Sequence, residues 1–302
     1  MKTYDLLLDV GGTEIKMNGL TTEGELLLPN HHHVPAYAQA SKETILTHFR
    51  SILLEWIETH QATAALRAIG LAFPGPFDYD EGISYMQGLR KYEAIYGVNL
   101  RDNIQAWLAE SGYEKRPIIF ENDATCFALG SFYQQTTATR GIYLTIGTGC
   151  GSGFIEAGQV VKTGYGLNAM GMIYDAPFKD GIIDDYLCVD GLRKLAEVHD
   201  YPFKNGKELA QAAYLGDVIA SEIYHTFGQM IGEALKPFVR EFEPQEMVFG
   251  GQISQSLSLF EDGIKQVLAP YTPSLRRSED STSATLYGLK KIIEKQLEES
   301  KQ

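Results

Sequence analysis

Two glycine-rich turns, each following an apolar stretch, have residue types that bind phosphate groups. The first spans Asp9–Thr13 (DVGGT) and the second spans Gly147–Gly151 (GTGCG). Such turns expose backbone N–H groups and let a phosphate approach closely, while the carboxylate of Asp9 can help to hold Mg²⁺. Thr13 adds a hydroxyl donor and Lys16 adds a positive charge. Two such turns, far apart in the sequence, predict one nucleotide held between two halves of the chain.

These turns differ from two familiar nucleotide-binding motifs. The chain contains no GxxxxGK[ST] sequence, so neither turn is a Walker loop. The alternate glycines of the second turn do not follow the GxGxxG spacing either, which disfavours a dinucleotide fold. Thr145 and Thr148 supply further donors there. Taken alone, Asp9–Thr13 is equally compatible with an ordinary tight turn.

Asp123 lies where a predicted strand meets a predicted helix, directly after Asn122. It either caps that helix or acts as a base. A sugar hydroxyl is a poor nucleophile until a carboxylate takes its proton, and one aspartate within hydrogen-bond reach can do this as a phosphoryl group is transferred. Asn122 could then bind a neighbouring hydroxyl as both donor and acceptor.

A third glycine segment, Gly250–Gln252, ends another apolar stretch. It is either an ordinary turn or a flat stretch of backbone against which adenine and ribose pack. Both interpretations stay open from this segment alone.

Strands and helices that alternate along the chain must position these residues, which predicts an α/β fold. The expected strands are 4–10, 14–20, 25–28, 68–73, 117–121, 141–146 and 246–249. The expected helices are 41–60, 99–111, 182–198, 207–214, 217–240 and 284–299. Ser41 should cap the first helix, and its apolar face should contain Ile45, Phe49, Ile52, Leu53, Trp56 and Ile57.

The two halves of the chain repeat one order of elements, namely strand, glycine turn, hairpin and helices. We therefore predict an N-terminal α/β domain over 1–119, joined by the C-terminal helix 284–302, and a larger C-terminal α/β domain over 120–283. The junction near residue 120 is a predicted hinge with a cleft beside it.

Composition narrows the class of partner. The chain has 302 residues, 44 % hydrophobic and 22 % charged, with a formal net charge of -13, so nucleic acid is not expected as the main partner. The three cysteines have no metal-binding spacing and are expected to be buried and reduced in a cytoplasmic protein. No apolar run is long enough to span a membrane. The run His31–His33 is expected in a solvated loop.

Four motifs, taken in order, resemble those of the ROK family of sugar kinases and repressors, within the actin/hexokinase/Hsp70 ATPase superfamily. Asp9–Thr13 is similar to the first phosphate loop, and Asn122–Ala124 to the catalytic Asn-Asp-Ala. Thr145–Gly149 is similar to the second phosphate loop, and Phe249–Ser254 to the adenosine segment. The resemblance covers nearly the whole chain.

The resemblance implies a two-domain actin-like ATPase (ribonuclease H-like) fold with a central cleft that closes on sugar and MgATP. Asp123 would be the base, and Asp9 would act near Mg²⁺ or the γ-phosphate. The implied ATP-binding and phosphate-binding residues are Asp9, Gly11, Gly12, Thr13, Lys16, Thr148, Gly149, Gly250, Gly251 and Gln252. The implied sugar-binding residues are Asn122, Asp123, Gly75, Gln87 and Asn168.

The sequence departs from the family pattern at several places. The repressors carry an N-terminal helix-turn-helix, for which this chain has no room, so the kinase branch is favoured. Many members hold a structural zinc in a cysteine-rich loop, but the matching stretch Ile173–Asp185 has no Cys or His, so no zinc is predicted. Asp184 stands where the family has a Glu after that loop. The segment Met86–Arg90 lacks the family's Asn, and Gln87 is its nearest substitute.

The family's Glu-x-Gly-His sugar motif is also missing. With Gly171 as the anchor, Ala169 replaces the Glu and Met172 the His, and Asn168 is the nearest polar substitute. Losing both partners at carbons 1 and 2 would weaken discrimination for a free anomeric hydroxyl by about 1–3 kcal/mol. We therefore predict a kinase for the 6-hydroxyl of a glucose-type sugar, with β-glucosides such as cellobiose favoured. Candidate stacking platforms for a second ring are Tyr92, Tyr96, Tyr165 and Tyr174.

Three alternatives stay open. The closest are a glucokinase and an N-acetylmannosamine kinase. The acetamido sugar of the second needs a pocket near carbon 2, for which the small Ala169 leaves room. The third is a non-catalytic sugar-sensing regulator, against which the presence of Asp123 argues, because a sensor needs no base. The family often dimerises, so a homodimer is a further option.

Overall fold

Two five-stranded sheets carry the fold within residues 2–88, 91–135 and 137–300, which the computed structural model describes. The chain separates into two compact units. Unit 1 consists of Met1–Cys126 and Thr285–Gln302, and unit 2 is Phe127–Ala284. The functional domain boundaries predicted above stay a prediction.

The strands and helices alternate along the described chain. The strands are β1 (Lys2–Val10), β2 (Glu14–Thr21), β3 (His32–Pro35), β4 (Ala64–Phe73), β5 (Phe77–Asp78), β6 (Ile83–Ser84), β7 (Ile118–Asn122), β8 (Arg140–Ile146), β9 (Cys150–Glu156), β10 (Gln159–Val160), β11 (Pro177–Phe178), β12 (Gly181–Ile182), β13 (Glu246–Gly250) and β14 (Ser274–Arg277). The helices are α1 (Lys42–His60), α2 (Leu100–Glu110), α3 (Asp123–Gln135), α4 (Val189–Val198), α5 (Gly206–Tyr214), α6 (Val218–Phe242), α7 (Leu257–Leu268) and α8 (Ser281–Glu299).

The sheet of unit 1 has the order β3-β2-β1-β4-β7. Strands β1, β4 and β7 run parallel to one another, with Asp9 in register with Ala72 and Phe73 with Asn122, whereas β2 pairs antiparallel with β1. Because the carboxyl ends of parallel strands meet at one edge of a sheet, the segments after β1, β4 and β7 leave from the same edge.

The sheet of unit 2 has the order β10-β9-β8-β13-β14. Strands β8, β13 and β14 are parallel, and Gly250 at the end of β13 is in register with Thr145 near the end of β8. The second phosphate turn and the Gly250–Gln252 segment therefore begin side by side.

Helix α1 illustrates how the local sequence forms an element. Ser41 is its N-cap, and the Ser41 hydroxyl accepts a hydrogen bond from the Thr44 N–H at 3.3 Å. The buried residues of α1 are those predicted from their spacing: Ile45, Phe49, Ile52, Leu53, Trp56 and Ile57. They pack in the apolar core of unit 1.

Three local predictions are wrong. Residues 25–28 form no strand, because the buried side chain of Asn18 bonds both the N–H and the carbonyl of Leu28 and holds this segment as a loop. The run His31–His33 is not wholly a loop, since His32–Pro35 forms the edge strand β3 beside β2. The expected helix from residue 182 begins only at Val189, after a 3-10 turn at Ile183–Asp185.

In the part of the chain that is described, no helix combines the length and the apolarity needed to cross a membrane.

Candidate active site

The first phosphate loop begins where β1 ends. Asp9 is half-buried and is in register with Lys16 on the antiparallel strand β2, so the two side chains lie on the same face of the sheet. A carboxylate and a cation therefore lie on one face of the sheet next to the glycine turn. Their roles at a phosphate site stay a prediction.

The turn itself is closed by its backbone and by a tyrosine. The Gly11 N–H donates to the Glu14 carbonyl at 2.9 Å, and the Tyr92 hydroxyl donates to the Gly11 carbonyl at 3.0 Å. Gly12 and Thr13 remain exposed. The loop is therefore fixed at Gly11 while its tip faces solvent, an arrangement in which backbone N–H groups can meet an anion.

Asn122, and not Asp123, is the principal cap of α3. The Asn122 Oδ1 atom accepts hydrogen bonds from the Ala124 N–H at 2.9 Å and the Thr125 N–H at 3.1 Å. One carboxylate oxygen of Asp123 also lies 3.0 Å from the Ala124 nitrogen. Because Asn122 satisfies the first amides of the helix, Asp123 is not required as its cap.

Tyr79 extends this arrangement and was not found by the sequence analysis. The Asn122 Nδ2 group donates to the Tyr79 hydroxyl at 3.1 Å, which in turn donates to the Phe73 carbonyl at 3.0 Å. Burial, and then the charge of Asp123, raise the pKa of Tyr79 well above its ordinary value, so its hydroxyl stays protonated. No motif in the sequence pairs residue 79 with residue 122.

The surroundings of the Asp123 carboxyl group raise its pKa. Burial raises its pKa, while the positive charge of Lys91 and local backbone hydrogen bonds lower it in part. A carboxylate with a raised pKa is a stronger proton acceptor than an ordinary aspartate. Lys91 is a second residue that the sequence analysis missed.

The two other predicted sugar residues of unit 1 lie in loops. Gly75 follows β4, whose last residue Phe73 is in register with Asn122. Gln87 is exposed in the loop after β6. The neighbouring Leu89 and Arg90, which belong to the same predicted segment, lie outside the described residues.

The second phosphate loop of unit 2 is held by Asp184. One Asp184 carboxylate oxygen accepts a hydrogen bond from the Cys150 N–H at 2.5 Å, and a Cβ on Gly149 would lie 2.9 Å from that oxygen. The Gly147 carbonyl accepts from the Val189 N–H at the start of α4. Thr148 at the tip is exposed.

The predicted adenosine segment packs against the strand that leads into this loop. Gly251 has a φ of +81°, and a Cβ there would lie 2.5 Å from the Ile146 carbonyl oxygen. Both observations require glycine at this position. A Cβ atom on Gly250 would lie 2.5 Å from the Phe127 ring, so the ring occupies the space of a side chain there. Gln252 is exposed.

Asn168 is bonded within its own loop. Its Oδ1 atom accepts from the Met170 N–H at 2.9 Å and the Met172 N–H at 3.0 Å, while Nδ2 donates to Asp175 at 2.8 Å. Ala169 is exposed and Met172 is only 5 % exposed. The role of Asn168 in sugar binding stays a prediction, since its carbonyl oxygen already holds the loop.

The candidate stacking tyrosines differ in exposure. Tyr92 is 0 % exposed and belongs to the core, which excludes it as a platform. Tyr96 is 55 % exposed and meets Tyr85, which is 42 % exposed, edge to face at 5.8 Å between ring centroids. Tyr165 packs edge-on against Phe242.

Across the described residues, no group of three or more His, Cys, Asp or Glu side chains is arranged to hold a metal ion. Cys126, Cys150 and Cys188 are buried and free. The absence of zinc stays a prediction.

The comparisons with known proteins agree with this reading of the motifs. The glucokinase of Halalkalibacterium halodurans is 26 % identical, over 92 % of this chain and 89 % of the relative. The β-glucoside kinase of Listeria innocua is 25 % identical, over 82 % and 81 %. A ROK family glucokinase from Streptomyces griseus, solved with glucose and AMPPNP, has a TM-score of 0.72 at 19 % identity, with 96 % and 98 % covered.

These likenesses confirm the predicted mixed α/β fold, which is that of the actin-like ATPases. The sequence model described as "ROK family" matches residues 6–286, which is nearly the whole chain. The chain belongs to the ROK family.

Proposed function

We infer that this chain is an ATP-dependent carbohydrate kinase, and we propose that it phosphorylates the 6-hydroxyl of a glucose-type sugar, with β-glucosides favoured. Family membership and the sugar-kinase relatives carry the first part. One observation above all supports the mechanism: Asn122 caps α3, which leaves the Asp123 carboxylate available as a base.

The transfer would proceed as a single displacement. Asp123 accepts the proton of the sugar 6-hydroxyl as that oxygen forms a bond to the γ-phosphorus of ATP. The bond between the γ-phosphorus and the bridging oxygen breaks, and its electrons leave with ADP. The proton on Asp123 then returns to solvent. Asn122, held by Tyr79, fixes the position of the base.

The first phosphate loop would bind the γ-phosphate end of ATP through Gly11, Gly12 and Thr13, with Lys16 as a counter-charge. Asp9 fits a role near Mg²⁺, because a carboxylate is an oxygen ligand of the kind that Mg²⁺ prefers and it is half-buried beside the loop. When bound, the ion would supply neutralising charge at the phosphates.

Unit 2 would supply the remaining nucleotide contacts. Thr148 and Gly149 would donate to phosphate oxygens, with Asp184 holding their loop in place. Gly250, Gly251 and Gln252 would lie against adenosine. That a single ATP contacts the loops of both units stays a prediction.

The loop that contains Asn168 supports the choice of a glycoside. In the family a Glu and a His at this loop grip the reducing end of the sugar, and here those positions are an exposed Ala169 and a buried Met172. A sugar whose anomeric oxygen already carries a substituent loses least from this change. Tyr96, one of the predicted stacking platforms, is exposed and stays a candidate for stacking on a second ring.

Glucose is the main competing substrate, because one relative is a glucokinase. A non-catalytic sugar sensor is the competing class of function. The geometry at Asp123 disfavours a sensor, since binding alone needs no proton acceptor at the start of α3.

A coupled assay of ADP release separates these functions. The panel contains glucose, N-acetylmannosamine, N-acetylglucosamine, methyl β-glucoside and cellobiose, each with MgATP. We expect sugar-dependent ADP release, with methyl β-glucoside and cellobiose preferred, and ³¹P NMR should place the new phosphate on a 6-oxygen. Sugar-induced stabilisation without any ADP release would identify a sensor instead.

A further inference from the structure

Lys91 lies against the first phosphate loop in unit 1. A Cβ atom placed on Gly12 would be 3.7 Å from Cδ of Lys91 and 3.9 Å from its Cβ, so the aliphatic stem of the lysine runs along the glycine. The side chain is half-buried, and within the described residues it forms no ion pair or hydrogen bond. Among the described side chains, its charge acts on Asp123 without a direct ion pair.

The next residue fixes this position. Tyr92 is fully buried, its hydroxyl donates to the Gly11 carbonyl at 3.0 Å, and its N–H donates to the Ala38 carbonyl at 2.6 Å. The backbone at residue 91 is thus attached to the same loop that its side chain covers.

The charge of Lys91 also reaches the candidate base. It lowers the pKa of Asp123, against the larger effect of burial, which raises it. The lysine therefore contacts the phosphate loop at Gly12, and its charge acts on the carboxylate that would take the sugar proton.

We propose that Lys91 is a catalytic residue whose ammonium group contacts the γ-phosphoryl group during its transfer, and this rests on the proposed function. The three equatorial oxygens of the transferring group carry negative charge, and a fixed cation beside them stabilises the transition state. Lys91 exchanges no proton in this step: Asp123 takes the hydroxyl proton, and ADP takes the electrons of the broken bond.

The test replaces the charge and then restores it. We expect Lys91→Met to lower kcat by about 10²–10³-fold, as for loss of one transition-state donor. The KM values for sugar and MgATP should change by less than about threefold, because uniform binding is not what is lost. Lys91→Arg should recover a large part of kcat. Lys42→Met, an exposed lysine at the start of α1, is the matched control and should behave as the unmodified chain.

Chemical rescue and a pH profile complete the test. Because Cys126, Cys150 and Cys188 are buried, aminoethylation of Lys91→Cys should modify the introduced thiol selectively and restore activity. If Lys91 acts only on the pKa of Asp123, Lys91→Met will shift the acidic limb of the kcat profile. At high pH its kcat will then reach that of the unmodified chain, which overturns the proposal. A reduced plateau supports it.

The two levels of inference fail differently. An active unmodified chain whose Lys91→Met variant matches the Lys42→Met control overturns this inference alone. Absence of ADP release by the unmodified chain with every sugar overturns the proposed function and the role of Lys91 with it. If circular dichroism shows that Lys91→Met is unfolded, the Lys91→Cys protein, folded before aminoethylation, decides. If aminoethylation does not restore its activity, the role of Lys91 is rejected.

Discussion

Two asparagines of this chain make the same kind of hydrogen bonds in two different regions, the start of α3 and the loop around Asn168. The Asn122 side-chain oxygen accepts from two backbone amides at the start of α3, and the Asn168 side-chain oxygen accepts from two backbone amides of its own loop. The first holds Asp123 at the start of the helix. The second holds a loop in which Ala169 and Met172 provide no acid or base. Under the proposed function, the residues for phosphoryl transfer are present, while those that would recognise the reducing end differ from the family pattern.

The strongest way to break this comparison is to remove the base. Asp123→Asn should lower kcat by about 10²–10⁴-fold, because an amide cannot accept the hydroxyl proton. The amide oxygen can still accept from the Ala124 N–H, so stabilisation by sugar in a thermal-shift assay should persist. Asp102→Asn, in the first turn of α2, is the matched control and should leave kcat unchanged. Undiminished turnover in the Asp123 variant would remove this residue as the base.

The second test restores an acid to the sugar loop. Ala169→Glu should raise kcat/KM for glucose relative to cellobiose by roughly tenfold, because a carboxylate there can accept hydrogen bonds from reducing-end hydroxyls. Ala169 is exposed, so the longer side chain can be accommodated. Ala62→Glu, an exposed site in unit 1, controls for the added charge. An unchanged ratio would contradict the assignment of this loop to sugar recognition.

The third test compares the two asparagines directly. Asn122→Ala and Asn168→Ala should each lower the free energy of unfolding by about 1 kcal/mol, the usual cost of losing such a capping side chain. Only Asn122→Ala should also lower kcat, since it loosens the residue before the base. Urea melts and steady-state kinetics measure both effects. Equal loss of kcat in the two variants would mean that both asparagines act on the chemical step.

The smallest expected effect is a shift of the pH profile. The kcat/KM for sugar should fall as the pH drops through the pKa of Asp123, because the protonated acid cannot act as a base. Burial raises this pKa, so the fall should begin above the range of an ordinary aspartate near about 3.9. Lys91→Met removes an opposing charge and should move the limb to still higher pH. A limb at or below the ordinary range would contradict the account.

The acidic limb of the kcat/KM profile can be assigned to Asp123 only if neighbouring groups do not titrate in the same range. The pKa values of Tyr79 and Cys126 are both raised well above their ordinary values, mainly by burial, so neither titrates there. Glu121 and Asp9 are nearby carboxylates, whose charges act on Cys126. The Asp123→Asn variant, measured over the same pH range, separates their contribution.

Local patterns predicted much of this fold. The α1 helix followed from its capping serine and apolar spacing, because both signals lie within a few residues of each other. The strand status of His32–Pro35 did not, since it depends on pairing with Glu14–Met17 across a loop. The loop at 25–28 likewise depends on one buried asparagine, Asn18, which a strand pattern does not reveal.

The candidate site shows the same division. The residues Asp9, Asp123 and Gly251 could be proposed as site residues because glycine turns and strand ends leave local signals, and their roles stay a prediction. Lys91 and Tyr79 were missed, because their importance arises only when the fold brings them to Gly12 and Asn122. Contacts between distant positions are what single-sequence patterns do not carry.

The most direct measurement is the ratio of kcat/KM for cellobiose to that for glucose in the unmodified chain, by coupled ADP release. Retained transfer chemistry with an altered reducing-end loop predicts a ratio well above one. Efficient phosphorylation of both sugars with a clear preference for glucose would contradict the account.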